Sequence, residues 1–260
     1  MLKRAIVLSA LVAAAGCRIP GNATGMSGRA ADEWTRTYTL AEGGEVNINS
    51  PNSGVDVEGA DGNTVDVRAD RIAHAASDEA AAEIVPRISI KEEVGLEKIA
   101  LRTEPLGGIV IGVTVEVHYH VRAPRSATIR ARSVNGGLTV KGFTGRVILT
   151  VVNGGVTAEA LAGGVEVRST NGPAKIALAS FEADFVDIRV TNGSLRFTLP
   201  DAANANLNAS ATNGTIDVSA LKIERLGDQT GRRVRGRLNA GGAPIELVSV
   251  NGNIIVDYPK

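Results

Sequence analysis

Residues 129–176 read IRARSVNGGLTVKGFTGRVILTVVNGGVTAEALAGGVEVRSTNGPAKI, and an Asn-Gly pair punctuates them at Asn135, Asn153 and Asn171. The pair returns at Asn192, Asn213 and Asn251, giving spacings of 18, 18, 21, 21 and 38 residues, the last about twice the others. Six residues before each asparagine stand Ile129, Val147, Val165, Val186, Leu207 and Ile245, and four before it Ala131, Leu149, Val167, Ile188, Ala209 and Leu247. Three after it stand Leu138, Val156, Ala174, Leu195, Ile216 and Ile254, and five after it Val140, Ala158, Ile176, Phe197, Val218 and Val256. All are apolar, whereas the positions between them carry Arg130, Glu166, Asp187 and Glu246 before the turn and Thr139, Lys175, Arg196 and Asp217 after it. Alternation with period two on both sides of a turn predicts β-strands with one buried face.

Two architectures satisfy that pattern. Each Asn-Gly can be the two-residue loop of a β-hairpin, whose type I′ turn needs φ > 0 twice. Alternatively each repeat is one coil of a β-solenoid, with equivalent residues of successive coils stacked ~4.8 Å apart. Stacking explains why one amide residue recurs at one position, since asparagines in register can hydrogen-bond as a ladder. Gly136, Gly154, Gly172, Gly193, Gly214 and Gly252 would then permit an αL corner without a Cβ clash. The segments at Phe143 and Leu161 occupy matching slots and predict a second corner. In the 21-residue repeats, Phe181 to Phe185 predicts a bulge or loop. The stretch from Lys222 to Gly242 reads as a long loop plus a strand.

Composition bounds the rest. Lys plus Arg and Asp plus Glu are both 28, which excludes a generally basic nucleic-acid binder. Hydrophobic residues at 43% are too many for a disordered chain. The single cysteine excludes an internal disulfide framework and a multi-cysteine zinc site. It is Cys17, and it follows a basic start at Lys3 and Arg4, an apolar run from Ala5 to Ala15, and Gly16. That run is too short to span a hydrocarbon core of ~30 Å as a helix. Residues 1–16 are therefore expected to be a signal peptide, with an ending that resembles a bacterial lipoprotein signal in which Cys17 becomes the lipidated first residue. The alternative is an ordinary signal peptide that leaves Cys17 a free thiol. Residues 17–31 are expected to be a flexible, lipid-anchored tether, and 32–260 one domain.

Within residues 32–125, Thr35 to Leu40, Val46 to Asn49, Val55 to Val57 and Thr64 to Ala69 alternate like strands. Asn52-Ser-Gly54 reads as a degenerate Asn-Gly corner. Ser77 is an N-cap type residue followed by Asp78 and Glu79, predicting one short helix that Pro86 ends. Ile88 to Ile90, Ile99 to Arg102 and Ile109 to Val121 return to strand.

The strand-to-proline segment Val117 to Pro124, the corners Ser169 to Gly172, Val190 to Gly193 and Ala211 to Gly214, and the run from Gly241 to Gly252 together resemble the bacterial putative-adhesin domains of unknown function. Many of those are lipoproteins or membrane-tethered. The resemblance covers nearly all of residues 32–260. It implies an all-β fold: a β-solenoid of 18–21-residue coils over 126–260, behind an irregular N-terminal β region with one short helix. It brings no catalytic residues with it.

Candidate chemistry is sparse. Glu116, His118 and His120 share one face of a strand, and two imidazoles so placed can meet one metal ion; the alternative is a solvated polar face. Arg225, Arg232, Arg233, Arg235 and Arg237 form the one basic stretch, near Glu224 and Asp228. It reads first as a charged strand edge that blocks further pairing, with an anionic headgroup, lipopolysaccharide or acidic polysaccharide site as the alternative. No Ser-His-Asp pattern, phosphate cradle or convergent carboxylate set is readable, and no cofactor is expected. The expectation is a non-enzymatic, exported, membrane-anchored envelope protein whose rigid surface binds a polysaccharide or protein partner. The alternatives are an envelope scaffold without a ligand and a polysaccharide-active enzyme.

Overall fold

The computed structural model describes residues 26–108, 111–227 and 230–259. The expected signal peptide, Cys17 and most of the expected tether lie outside the described residues. The chain opens with β1 (Gly28–Thr39), β2 (Glu45–Asn52), β3 (Val55–Ala60) and β4 (Thr64–Ala75), followed by helix α1 (Asp78–Ile84) and a 3-10 turn, Val85–Arg87. Next come β5 (Ile90–Val94), β6 (Lys98–Thr103) and β7 (Thr114–Pro124). The repeats supply the strand pairs β8 (Thr128–Asn135) with β9 (Leu138–Lys141), β10 (Val147–Asn153) with β11 (Val156–Leu161), and β12 (Val165–Asn171) with β13 (Ala174–Leu178). They continue as β14 (Val186–Asn192) with β15 (Leu195–Thr198), and β16 (Ala205–Asn213) with β17 (Ile216–Asp217). After β18 (Ile223–Arg225) and β19 (Arg233–Leu238) come β20 (Ala243–Asn251) and β21 (Ile254–Asp257). Helix α1 starts where the sequence places it: the Ser77 hydroxyl accepts from the Ala80 N–H at 3.2 Å, Asp78 and Glu79 stand in the first turn, and Ala81 and Ile84 are buried.

The strands form two sheets. One runs β1-β4-β7-β3-β9-β11-β13-β15-β21-β17 and the other β18-β19-β16-β20-β14-β12-β10-β8-β2-β6-β5. Every Asn-Gly pair therefore carries the chain from one sheet to the other, and the strands on its two sides do not pair. That disposes of the hairpin reading. The repeat strands instead run parallel to their counterparts, asparagine on asparagine: Asn135 opposite Asn153, Asn153 opposite Asn171, Asn171 opposite Asn192. Of the twenty-four apolar repeat positions only Ile216 is not fully buried. Burying one Val, Leu or Ile contributes about 1.5–3 kcal/mol, against about 0.5–1.5 for a net hydrogen bond. Burial thus holds successive repeats together, and hydrogen bonding fixes their register.

The register is written in a ladder of seven exposed asparagines. Each side-chain Nδ2 donates to the Oδ1 of the next: Asn213 to Asn251 at 2.8 Å, Asn251 to Asn192 at 2.7, Asn192 to Asn171 at 2.8, then Asn171 to Asn153, Asn153 to Asn135 and Asn135 to Asn52 at 2.9 each. Asn52, the degenerate corner, is thus a full rung. A second track of bonds runs the opposite way, because the N–H groups of Gly136, Gly154, Gly172, Gly193 and Gly252 donate to the carbonyls of Asn153, Asn171, Asn192, Asn251 and Asn213 at 2.8–3.0 Å. The two tracks oppose their dipoles.

Three expectations need correction. The rungs do not follow sequence order, because β20 lies between β14 and β16, and β21 between β15 and β17. The inserted rung sets Ile245 and Leu247 against Leu207 and Ala209, and Ile254 against Ile216, while β16 is flanked on its other side by antiparallel β19. Second, the corner glycines are not αL. Gly136, Gly154, Gly172, Gly193 and Gly252 have φ of 145–154°, and a Cβ on Gly172 would lie 2.1 Å from the Gly154 carbonyl oxygen. Glycine is needed because the corners stack backbone on backbone. Third, β1 begins at Gly28, inside the expected tether, and pairs antiparallel with β4 over its whole length. The strand expected from Ile109 begins at Thr114, and residues 109–110 lie outside the described residues.

Ser53 stands in the glycine slot of the first rung with φ 153°, and its buried hydroxyl has no hydrogen-bond partner among the described residues. The other buried serines are satisfied: Ser50 donates to the Val117 carbonyl, Ser133 to that of Ser53, Ser169 to that of Gly172 and Ser249 to that of Gly252.

Candidate functional site

A groove of about 650 Å³ crosses the outer face of the ten-stranded sheet over β1, β4, β7, β3 and β9. Its floor follows from period-two alternation. On β3, Val55 and Val57 point into the core while Asp56 and Glu58 face out, and on β4, Val65 and Val67 are buried beneath Asp66 and Arg68. Cross-strand register then sets one row of alternating sign: Asp66 opposite Arg122, Arg122 opposite Glu58, Glu58 opposite Lys141, Lys141 opposite Glu159. Directly opposed unlike charges contribute roughly 0.2–1 kcal/mol per pair. Beyond β11, Lys175 on β13 donates to Glu159 at 2.7 Å, and that bond holds the Glu159 carboxyl below its ordinary range. The neighbouring row sets Arg68 opposite His120, and His120 opposite Asp56.

The expected face of Glu116, His118 and His120 is present on β7, half-exposed, above buried Val117, Tyr119 and Val121. Its three members do not converge. His118 Nε2 lies 3.6 Å from Glu116 Oε2, whereas His120 is held between two carboxylates, Nδ1 at 3.4 Å from Asp56 and Nε2 at 3.4 Å from Asp70. Asp70 in turn pairs with Arg68 at 3.5 Å. Among the described residues no group of three or more His, Cys, Asp or Glu is placed to hold a metal ion. The two histidines face different carboxylates, which is the arrangement of a polar face. Asp56 and Asp70 were not singled out from sequence. Their alternation with valine and alanine marks them as outward-facing, but only sheet order brings β3 and β4 to the two sides of β7.

Beneath this face the Tyr119 phenol shares a 2.8 Å hydrogen bond with Thr103, and burial pushes its pKa up to about 12. Tyr38 donates to Glu92 at 2.6 Å and is also raised, chiefly by burial and then by that bond.

The basic stretch lies at the far end of the eleven-stranded sheet. Arg233, Arg235 and Arg237 occupy the outward positions of β19, and Arg232 precedes them. Arg237 meets Glu224 at 2.5 Å on the edge strand β18, Arg235 reaches Asn208, and Arg232 donates to the Thr212 carbonyl. Asp228 lies outside the described residues. These arginines therefore dress a sheet end whose last strand is three residues long, which fits a charged, pairing-resistant edge.

The fold recurs in a solved bacterial structure. A putative cell adhesion protein from Clostridium sporogenes ATCC 15579 is similar over 88% of this chain and 100% of its own, with a TM-score of 0.52 and 12% identity. Putative adhesins from Bacteroides fragilis NCTC 9343 and Parabacteroides distasonis ATCC 8503 align over 88% and 90% of this chain and 97% and 98% of theirs, with TM-scores of 0.32 and 0.31 and identities of 12% and 11%. No protein-family model matches the chain, and no curated protein does.

Proposed function

We propose that this chain is a member of the bacterial putative-adhesin family, a β-solenoid that acts without chemistry by presenting a rigid, charge-patterned sheet to a polymer or protein partner at the cell envelope. The observation that carries the reading is the alternating row from Asp66 to Glu159, held in register by antiparallel pairing of β4 on β7 and by parallel pairing from β7 to β11. The groove's charged lining, Arg36, Arg68, Arg122 and Lys141 against Asp56, Glu58 and Asp66, is nearly balanced. Selectivity would then come from the match of pattern to pattern more than from bulk charge. The likeness in fold to a putative cell adhesion protein supports binding, and the lipoprotein-type signal ending at Cys17 supports lipid anchoring at the envelope.

The test is to probe the purified domain against glycan and envelope-extract arrays, with hydrolase and lyase assays alongside, comparing wild type with an Arg122→Glu/Lys141→Glu variant. Binding that the charge reversal abolishes, without turnover, is expected. Turnover of the captured material would replace the reading with a polysaccharide-active enzyme, and absence of any binding with a scaffold. For anchoring, Cys17→Ser is expected to move the protein from the membrane fraction to the soluble one.

A further inference from the structure

The six Asn-Gly pairs are also six sites for one spontaneous reaction. In that reaction the backbone nitrogen of the glycine attacks Cγ of the asparagine side chain, a C–N bond forms, and Nδ2 departs as ammonia with the proton the glycine nitrogen gives up. Water then opens the resulting succinimide to aspartate or isoaspartate. The net change is water in, ammonia out. Two things oppose it in a folded chain: a glycine N–H committed to a hydrogen bond, and a side-chain amide held on both sides.

Five of the six sites have both restraints. The glycine nitrogens of positions 136, 154, 172, 193 and 252 each donate to the carbonyl of the adjoining rung. Their asparagines, Asn135, Asn153, Asn171, Asn192 and Asn251, each donate through Nδ2 and accept through Oδ1. The sixth site keeps only part of these restraints. Asn213 ends the ladder: its Nδ2 donates to Asn251 at 2.8 Å, while its Oδ1 accepts from no described residue. The Gly214 N–H makes no hydrogen bond among the described residues, and Gly214 alone of the six corner glycines lacks the positive φ. Asn213 is exposed, and the strand after it, β17, is two residues long.

We propose that Asn213 is the site at which this protein modifies itself, by succinimide formation with Gly214 and hydrolysis to aspartate or isoaspartate, while the five other Asn-Gly pairs are protected by the fold. The product at 213 loses the Nδ2 donor to Asn251 and sets a carboxylate against that residue's Oδ1. Asn251 keeps its own bond to Asn192, so the damage stops at one rung.

The chain makes the test unusually direct, because trypsin places each pair on its own peptide: residues 133–141, 147–168, 169–175, 190–196, 197–222 and 238–260. Folded protein is aged at mildly alkaline pH beside a urea-unfolded sample. Peptides are then followed by mass spectrometry for the gain of about one dalton and for the isoaspartate isomer. In the folded sample, conversion at Asn213 is expected to exceed that at each other pair by at least about tenfold, since those must first open hydrogen bonds. In urea the six rates should draw level. Equal or faster conversion at any internal rung of the folded protein would overturn the proposal. So would an unconverted Asn213 beside a converting urea sample, or fragment ions that place the change at Asn204, Asn206 or Asn208.

Discussion

Replacing Gly172 by alanine tests the stacked corner most directly. The new Cβ would lie 2.1 Å from the Gly154 oxygen and 2.6 Å from its carbonyl carbon, where ordinary contact begins at 3.4 Å. Both are backbone atoms, so no side chain can swing aside, and the rungs must part by on the order of 1 Å. Gly154 donates to the Asn171 carbonyl at 2.9 Å and Gly172 to that of Asn192 at 2.8 Å. Lengthened that far, neither is a hydrogen bond, at about 1 kcal/mol each. Holding alanine at φ 145° adds about 1–3 kcal/mol. The sum is about 3–5 kcal/mol, a large part of the ~5–15 that keeps a domain folded. Urea unfolding should show the midpoint fall with the slope unchanged. Gly231→Ala, where nothing lies within 4 Å of the added carbon, should leave the midpoint alone. A loss below about 1 kcal/mol for Gly172→Ala would refute the claim that backbone contact, and not turn geometry, requires glycine at the corners.

Substitutions at three other positions read different parts of the molecule. Ser53→Gly removes a positive-φ side chain and a buried hydroxyl with no partner among the described residues, and should raise stability by about 1–2 kcal/mol in the same urea assay. Asn171→Ala removes two side-chain bonds at an exposed rung where water can replace them, so the loss should be only about 1 kcal/mol. Asn171→Asp should cost more at neutral pH, because a carboxylate would face the Asn153 oxygen, and the excess should shrink on acidification as the carboxyl regains a donor. Tyr119 has its folded-state pKa raised from 10.0 to about 12, so the stability it contributes is complete below pH 10 and is lost as pH rises toward 12. Tyr119→Phe should therefore flatten the alkaline fall in stability relative to wild type, by up to about 2–3 kcal/mol. An unchanged difference between the two proteins from pH 8 to 12 would count against it.

Much of this architecture was legible because it repeats. Residues such as Val147, Leu149, Val156 and Ala158 announce the buried face twice per repeat, and the recurring asparagine announces the register. Even the corner at Asn52 could be read through its substituted serine. Helix α1 was marked by its own cap, Ser77. What could not be read is pairing between distant segments. Nothing local to Asn251 says that it docks against Asn192 and not beyond Asn213, since any rung offers the same donors and acceptors. Likewise His120 lies in sequence beside His118, but its partners Asp56 and Asp70 come from strands more than forty residues away. The length of β1 was hidden for a related reason: Ala30, Ala31, Asp32 and Glu33 have weak strand propensity, and it is β4 that makes them a strand.

The late arrival of β20 and β21 has a consequence for biogenesis. While the chain is being synthesised, β14 and β16 are both available long before the segment that separates them exists, and so are β15 and β17. Until residues 243–257 are made, β14 and β15 present bare edges of Val, Ile and Phe, with a mispaired partner one strand away in β16. The molecule is in that sense an arch awaiting its keystone. A chain interrupted within that window would carry unguarded edges into a crowded compartment, where association with other chains competes with closure.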